Sequence, residues 1–165
     1  MAVLVSLLLL IRRAAHPHVA FLGRIPGARG YSDMERNPDN EAVPGALVFR
    51  VEAALLYFNV EHVRDAVWQK IRSATGPLKL VVCDLSISPA VDLAGVRMLA
   101  MLHAELQAAG IRLRLVAAHA SARDILRAEG LEERVGYFGR RVSVADVIDE
   151  FKGGAGAATP AAPAT

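Results

Sequence analysis

The stretch from Leu80 to Val96, LVVCDLSISPAVDLAGV, restricts the fold more than any other part of the chain. Leu80, Val81, Val82 and Cys83 form an apolar run too short for a helix and rich in β-branched residues. That composition suits a strand covered on both faces. Asp84 and Ser86 break the run, and Ser88-Pro89 imposes a turn. Asp92 then stands where a helix N-cap belongs, its carboxylate placed to accept from first-turn amides. A strand that passes through one short acidic loop into a helix is the basic unit of an open α/β sheet. Such sheets keep their working surface at the carboxyl ends of their strands. The exposed helix end can take a small anion, a phosphate or an acidic side chain. The residue after Asp92 is Leu93, whose side chain offers no hydroxyl for modification.

Around this unit, Ala46 to Lys152 reads as one compact α/β domain. Leu47, Phe49 and Val51 alternate with Val48, Arg50 and Glu52, the period of a strand. Leu55 to Phe58 reads as a second strand. Val60, Val63, Val67 and Ile71 then fall at helical spacing before Gly76-Pro77. Leu93 to Ala109 is a long helix with Val96, Leu99, Leu102 and Leu106 on one face, stopped by Gly110. Ile111 to Val116 gives another strand. Ser121 with Asp124, and Ser143 with Asp146, resemble capping boxes for two further helices. A short strand is expected between those helices. The order β-β-α-β-α-β-α-(short β)-α predicts a mixed sheet with helices packed against it.

The flanks differ in kind. Ala2 to Ile11 is apolar apart from Ser6, and Arg12-Arg13 follow directly. A bilayer crossing needs about 20 apolar residues, so this piece does not span alone. No positive charge precedes the run, as a secretory signal requires. It reads as a buried or interfacial helix, or as the end of a truncated transmembrane helix (1–15), the favoured reading. The arginine pair would then lie on the cytoplasmic side. Residues 16–45 are rich in proline, glycine and asparagine and read as an irregular connector lying along a surface. Residues 153–165 are glycine, alanine, proline and threonine, a tail expected to be disordered.

Little supports catalysis. The five histidines are scattered without metal-ligand spacing, and the single cysteine, Cys83, lies within an apolar strand. There is no GxSxG elbow and no phosphate-binding glycine loop. Asp84 and Asp92 flank one loop and offer at most a carboxylate pair; a cap and a strand-end bond explain them more simply. The formal charge is +2, with no arginine-rich aromatic face, so nucleic acid is not expected as a partner. No enzyme activity, metal or cofactor is expected. The candidate contact residues are Asp84, Ser86, Ser88, Asp92, Leu93, Ala94 and Gly95, with Gly95 permitting close backbone approach.

Asp84-Leu85-Ser86 through Val91-Asp92-Leu93-Ala94-Gly95-Val96, followed by a long amphipathic helix, resembles the STAS domain. This fold is shared by anti-sigma-factor antagonists and the cytoplasmic tails of SulP-type anion transporters. The resemblance implies a STAS-like (SpoIIAA-like) mixed β-sheet flanked by α-helices over 46–152. The segment His16-Pro17-His18-Val19-Ala20-Phe21-Leu22-Gly23-Arg24-Ile25-Pro26-Gly27, with Tyr31 and Arg36-Asn37-Pro38, is similar to the connector of the transporter branch. So are Pro44-Gly45-Ala46-Leu47-Val48-Phe49-Arg50-Val51 and Leu56-Tyr57-Phe58-Asn59. The resemblance therefore implies a regulatory domain at the cytoplasmic face of the cell membrane. Its partner would be the membrane transport domain of a SulP-type sulfate or related anion permease. The loop would be open to a nucleotide or an acidic protein partner. The alternative is a free-standing protein of the antagonist type. That branch phosphorylates a serine just after the loop aspartate, where this chain has Leu93.

Overall fold

The computed structural model describes residues 2–139 and 141–156. Helix α1 (Ala2–Ala15) leads into strands β1 (Val19–Arg24), β2 (Tyr31–Asp33) and β3 (Ala46–Val51). Then follow α2 (Val60–Arg72), β4 (Leu80–Asp84), α3 (Leu93–Ala108) and β5 (Arg112–Val116). Helices α4 (Ala120–Ala128), α5 (Leu131–Val135) and α6 (Val144–Gly156) complete the described chain. The sheet order is β2-β1-β3-β4-β5. β3, β4 and β5 run parallel, with Val48 opposite Val82 and Val82 opposite Arg114. β1 is antiparallel to both β2 and β3. The expected mixed sheet with flanking helices is what forms.

Both faces of the sheet are covered, as the continuous apolar run of β4 requires. Val81 and Cys83 face one core with Phe49, Val51, Leu113 and Leu115, under α2, α3, α4 and α5. Leu80 and Val82 face the other with Ala20, Leu22, Val48 and Val116, under α6. On α3 the expected face of Val96, Leu99, Leu102 and Leu106 is buried. Each such side chain contributes roughly 1.5–3 kcal/mol by leaving water.

Four local expectations are corrected. Residues 16–45 are not an irregular connector lying on the surface, because Val19–Arg24 and Tyr31–Asp33 are strands of the sheet. Their pairing comes from β3, distant in sequence, and it outweighs the local turn formers. Leu55 to Phe58 is not a strand; one parallel bridge joins Leu55 to Val91, and a turn carries the chain into α2. The short late strand is replaced by α5, with Phe138 fully buried after it. Residues 153–156 are not a disordered tail but the last turn of α6; residues 157–165 lie outside the described residues.

The capping signals divide. Ser143 and Asp146 form a complete box, with Ser143 N–H donating to Asp146 Oδ2 at 2.9 Å and Asp146 N–H to Ser143 Oγ at 3.2 Å. Ser121 does not cap α4, which begins earlier, after His119.

Candidate functional site

The parallel register places Arg50 of β3 directly beside Asp84 of β4. Arg50 Nε and Nη2 donate to Asp84 Oδ2 at 2.9 and 2.7 Å. Asp84 Oδ1 accepts the Ser86 N–H at 2.9 Å, so the carboxylate also shapes the loop beyond its strand. These groups border a cleft of about 490 Å³ at the carboxyl ends of the strands, roofed by the start of α6. Arg29, Tyr31, Ser86, Ser143 and Asp146 complete its polar lining. Its charges are paired within the protein: Arg50 with Asp84, and Arg29 with Asp146 at 3.5 Å and with Asp149, outside the lining, at 2.8 Å. Ala117, on the same cleft, has φ of 56°, the left-handed region that disfavours a side chain.

The helix terminus at α3 is built as expected at Asp92 and differently at Gly95. Asp92 Oδ1 accepts the Gly95 N–H at 2.8 Å, and Oδ2 accepts the Tyr57 N–H at 2.8 Å. The Gly95 amide is therefore not free for a ligand. A Cβ at Gly95 would lie 2.8 Å from the Leu55 carbonyl oxygen and 2.8 Å from Val91 Cγ1. Its missing side chain serves packing against the 55–57 loop. Ser88 is also internal: it is fully buried, and its hydroxyl donates to Val51 O at 3.2 Å. Of the seven candidate residues, Asp84, Ser88 and Gly95 are thus structural supports. Ser86, Leu93 and Ala94 stay at least partly exposed, and Asp92 does too while spending both oxygens on backbone amides. Asp84 and Asp92 have different partners and do not share a site.

Scattered residues meet where α1 joins the domain. Asn59 Nδ2 donates to Ala14 O at 3.3 Å, and His62 Nε2 lies 3.2 Å from Pro17 O. The rings of His16 and His62 stand edge to face, 5.0 Å apart. His18 Nε2 lies 2.9 Å from Asp33 Oδ2, with Glu35 close enough for all three to share a metal ion. Arg36, 3.7 Å from Asp33, already supplies a counter-charge there. Burial pushes the Asp33 carboxyl up, but His18, the Glu35 amide and Arg36 together outweigh it and hold it below the usual carboxylate range. The sequence carried no signal for this cluster, since its members sit on three separate segments. Cys83 is buried, and desolvation pushes its thiol well above the ordinary value, as expected for an inert core residue.

The STAS domain family profile matches residues 37–146. The chain belongs to the STAS domain family. A probable sulfate transporter of Mycobacterium tuberculosis (strain H37Rv) is 33% identical over 135 residues, covering 82% of this chain and 24% of the relative. This STAS chain therefore spans about a quarter of that relative. Among solved structures, the murine Solute Carrier 26 family member A9 anion transporter in the inward-facing state superposes with a TM-score of 0.75. Identity there is 20%, covering 89% of this chain and 24% of that one. The anti-sigma factor antagonist SpoIIAA, unphosphorylated, gives a TM-score of 0.57 at 19% identity, covering 69% of this chain and 94% of that one. The expected STAS fold and the homology to sulfate transporters are both found. Among the described residues no helix is long and apolar enough to cross a membrane.

Proposed function

We propose that the chain is the cytoplasmic regulatory STAS domain of a SulP-type transporter of sulfate or a related inorganic anion, attached to its membrane domain through α1. One observation carries this reading. The similarity to the mycobacterial transporter extends over 135 residues, beyond the 37–146 span of the STAS profile. The fold shared with the antagonist SpoIIAA covers 69% of the chain. What the chain has in common with transporters thus reaches past the residues that the profile covers. The apolar α1, with Arg12-Arg13 in its last turn, fits the cytoplasmic end of a membrane helix.

In this role the domain performs no reaction of its own. It biases transport by contacts that differ between transporter states, and only to the extent of that difference. The contact face is the exposed part of the Asp84–Val96 segment: Ser86 and Ala94 towards the membrane domain, with Leu93 at the edge nearest the bilayer. Asp84, Ser88 and Gly95 hold that face from within. Leu93 at the position of the antagonists' phosphorylated serine is inconsistent with a phosphate switch there.

Affinity-tagged chain, expressed with the SulP membrane domain of its own genome, tests the reading by co-purification from detergent extracts. Stoichiometric recovery of the membrane domain is expected. Recovery of an anti-sigma-type serine kinase in its place would overturn it.

A further inference from the structure

Helix α1 leaves its apolar side chains uncovered: Val3, Leu4, Val5, Leu7, Leu8, Leu9, Leu10 and Ile11 are each more than half exposed. At its foot the domain adds a second apolar surface. Tyr57 is 73% exposed, and Phe58 and Leu93 are each 42% exposed. The Tyr57 and Phe58 rings stand edge to face, 5.3 Å apart. The Tyr57 amide is bonded to Asp92, the residue before Leu93, so the two exposed segments are tied together. The neighbouring Asn59 holds Ala14 through its carbonyl, so this surface lies at the level where α1 ends. Arg12 and Arg13 precede Ala14 by one or two residues, about 3 Å along the helix axis.

We propose that Tyr57, Phe58 and Leu93 rest in the headgroup layer of an anionic bilayer and anchor the domain beside the foot of α1. The inference rests on α1 being the end of a membrane helix. Three observations select lipid as the occupant. The two arginines at the same level match anionic headgroups in charge. Tyrosine is enriched at membrane–water boundaries, with its phenol towards water, and phenylalanine and leucine enter the headgroup–acyl boundary beside it. Asp92, the acid within the patch, spends both oxygens on backbone amides, and the two arginines outnumber its charge. The anchor also gives Leu93 a purpose at a position where a hydroxyl would serve a switch.

The test uses the whole chain with vesicles of phosphatidylcholine and phosphatidylglycerol. Buried Cys83 does not compete for labelling, so nitroxides are placed singly at L8C, L93C and T75C. Thr75, beyond the far end of α2, lies about 20 Å from the patch. Accessibility to dissolved oxygen and to a nickel chelate reports the depth of each label. The expected result is a deep label at position 8, a headgroup-level label at 93 and an aqueous label at 75. Tyr57→Ser with Phe58→Ser should return label 93 to water and weaken vesicle binding about tenfold per ring. A deep label at 8 with an aqueous label at 93 overturns the anchor and leaves the membrane-helix reading standing. A label at 93 shielded from both oxygen and nickel means protein covers the patch, and also overturns the anchor. Aqueous labels at both 8 and 93 overturn the two readings together.

Discussion

Arg50 and Asp84 face each other across neighbouring parallel strands, with two guanidinium nitrogens on one carboxylate oxygen and the Ser86 amide on the other. The pair is nearly out of water, at 20% and 4% side-chain exposure. It also bonds the loop that leads to α3.

Breaking this pair from one side leaves a buried charge without its partner. Asp84→Ala or Arg50→Ala should lower the unfolding free energy by about 3–5 kcal/mol, read from urea denaturation. Arg50→Met combined with Asp84→Leu should recover most of that loss. Equal loss in the single and double variants would show that the pair is not what the site depends on.

Gly95→Ala separates a packing glycine from a ligand-admitting one. The added methyl meets the Leu55 carbonyl and Val91, both held by the bridge between those residues. Overpacking of this kind costs about 1–3 kcal/mol. A variant as stable as the parent, measured by thermal unfolding, would contradict the packing role.

Ala117→Gly should act in the opposite direction. At φ of 56° an alanine is strained, and glycine is not. A gain of about 1 kcal/mol is expected in chemical denaturation. No gain would mean that the added chain freedom of glycine offsets the strain.

The His18–Asp33 contact sets an acid response. Asp33 is held below the usual carboxylate range in the folded protein. A carboxyl depressed by folding stabilises above its unfolded value of about 4, and that contribution is lost as pH falls through the lower folded value. His18→Ala removes the largest of the contributions that lower Asp33, so the Asp33 titration should rise. Carboxyl-carbon NMR should show the rise, and the variant should lose less stability than the parent as the solution is acidified below about pH 4. An unchanged Asp33 titration would contradict the assignment.

The strand–loop–helix unit was legible because its signals are local: a β-branched run, Pro89, an N-cap and a helical period. β1 and β2 were not. Val19–Arg24 lies between Pro17 and Pro26, and its strand state is decided by β3, whose pairing residues lie some thirty positions away. Leu55–Phe58 misled for the converse reason, being apolar but lacking neighbours beyond one bridge. Within the site, Asp92 was legible from spacing alone. The Arg50 partner of Asp84 was not, since it follows from parallel register across 34 residues. The burial of Ser88 follows from a carbonyl 37 positions earlier, which is equally silent in a local pattern.

The central claim is that this STAS domain acts on anion transport through a membrane domain. Radiolabelled sulfate uptake is the direct measurement, in cells carrying the SulP membrane domain of the same genome with and without this chain. The account predicts that uptake depends on the chain and that Arg50→Ala, by loosening the domain, impairs it. Uptake identical with the chain present, absent or substituted would contradict it.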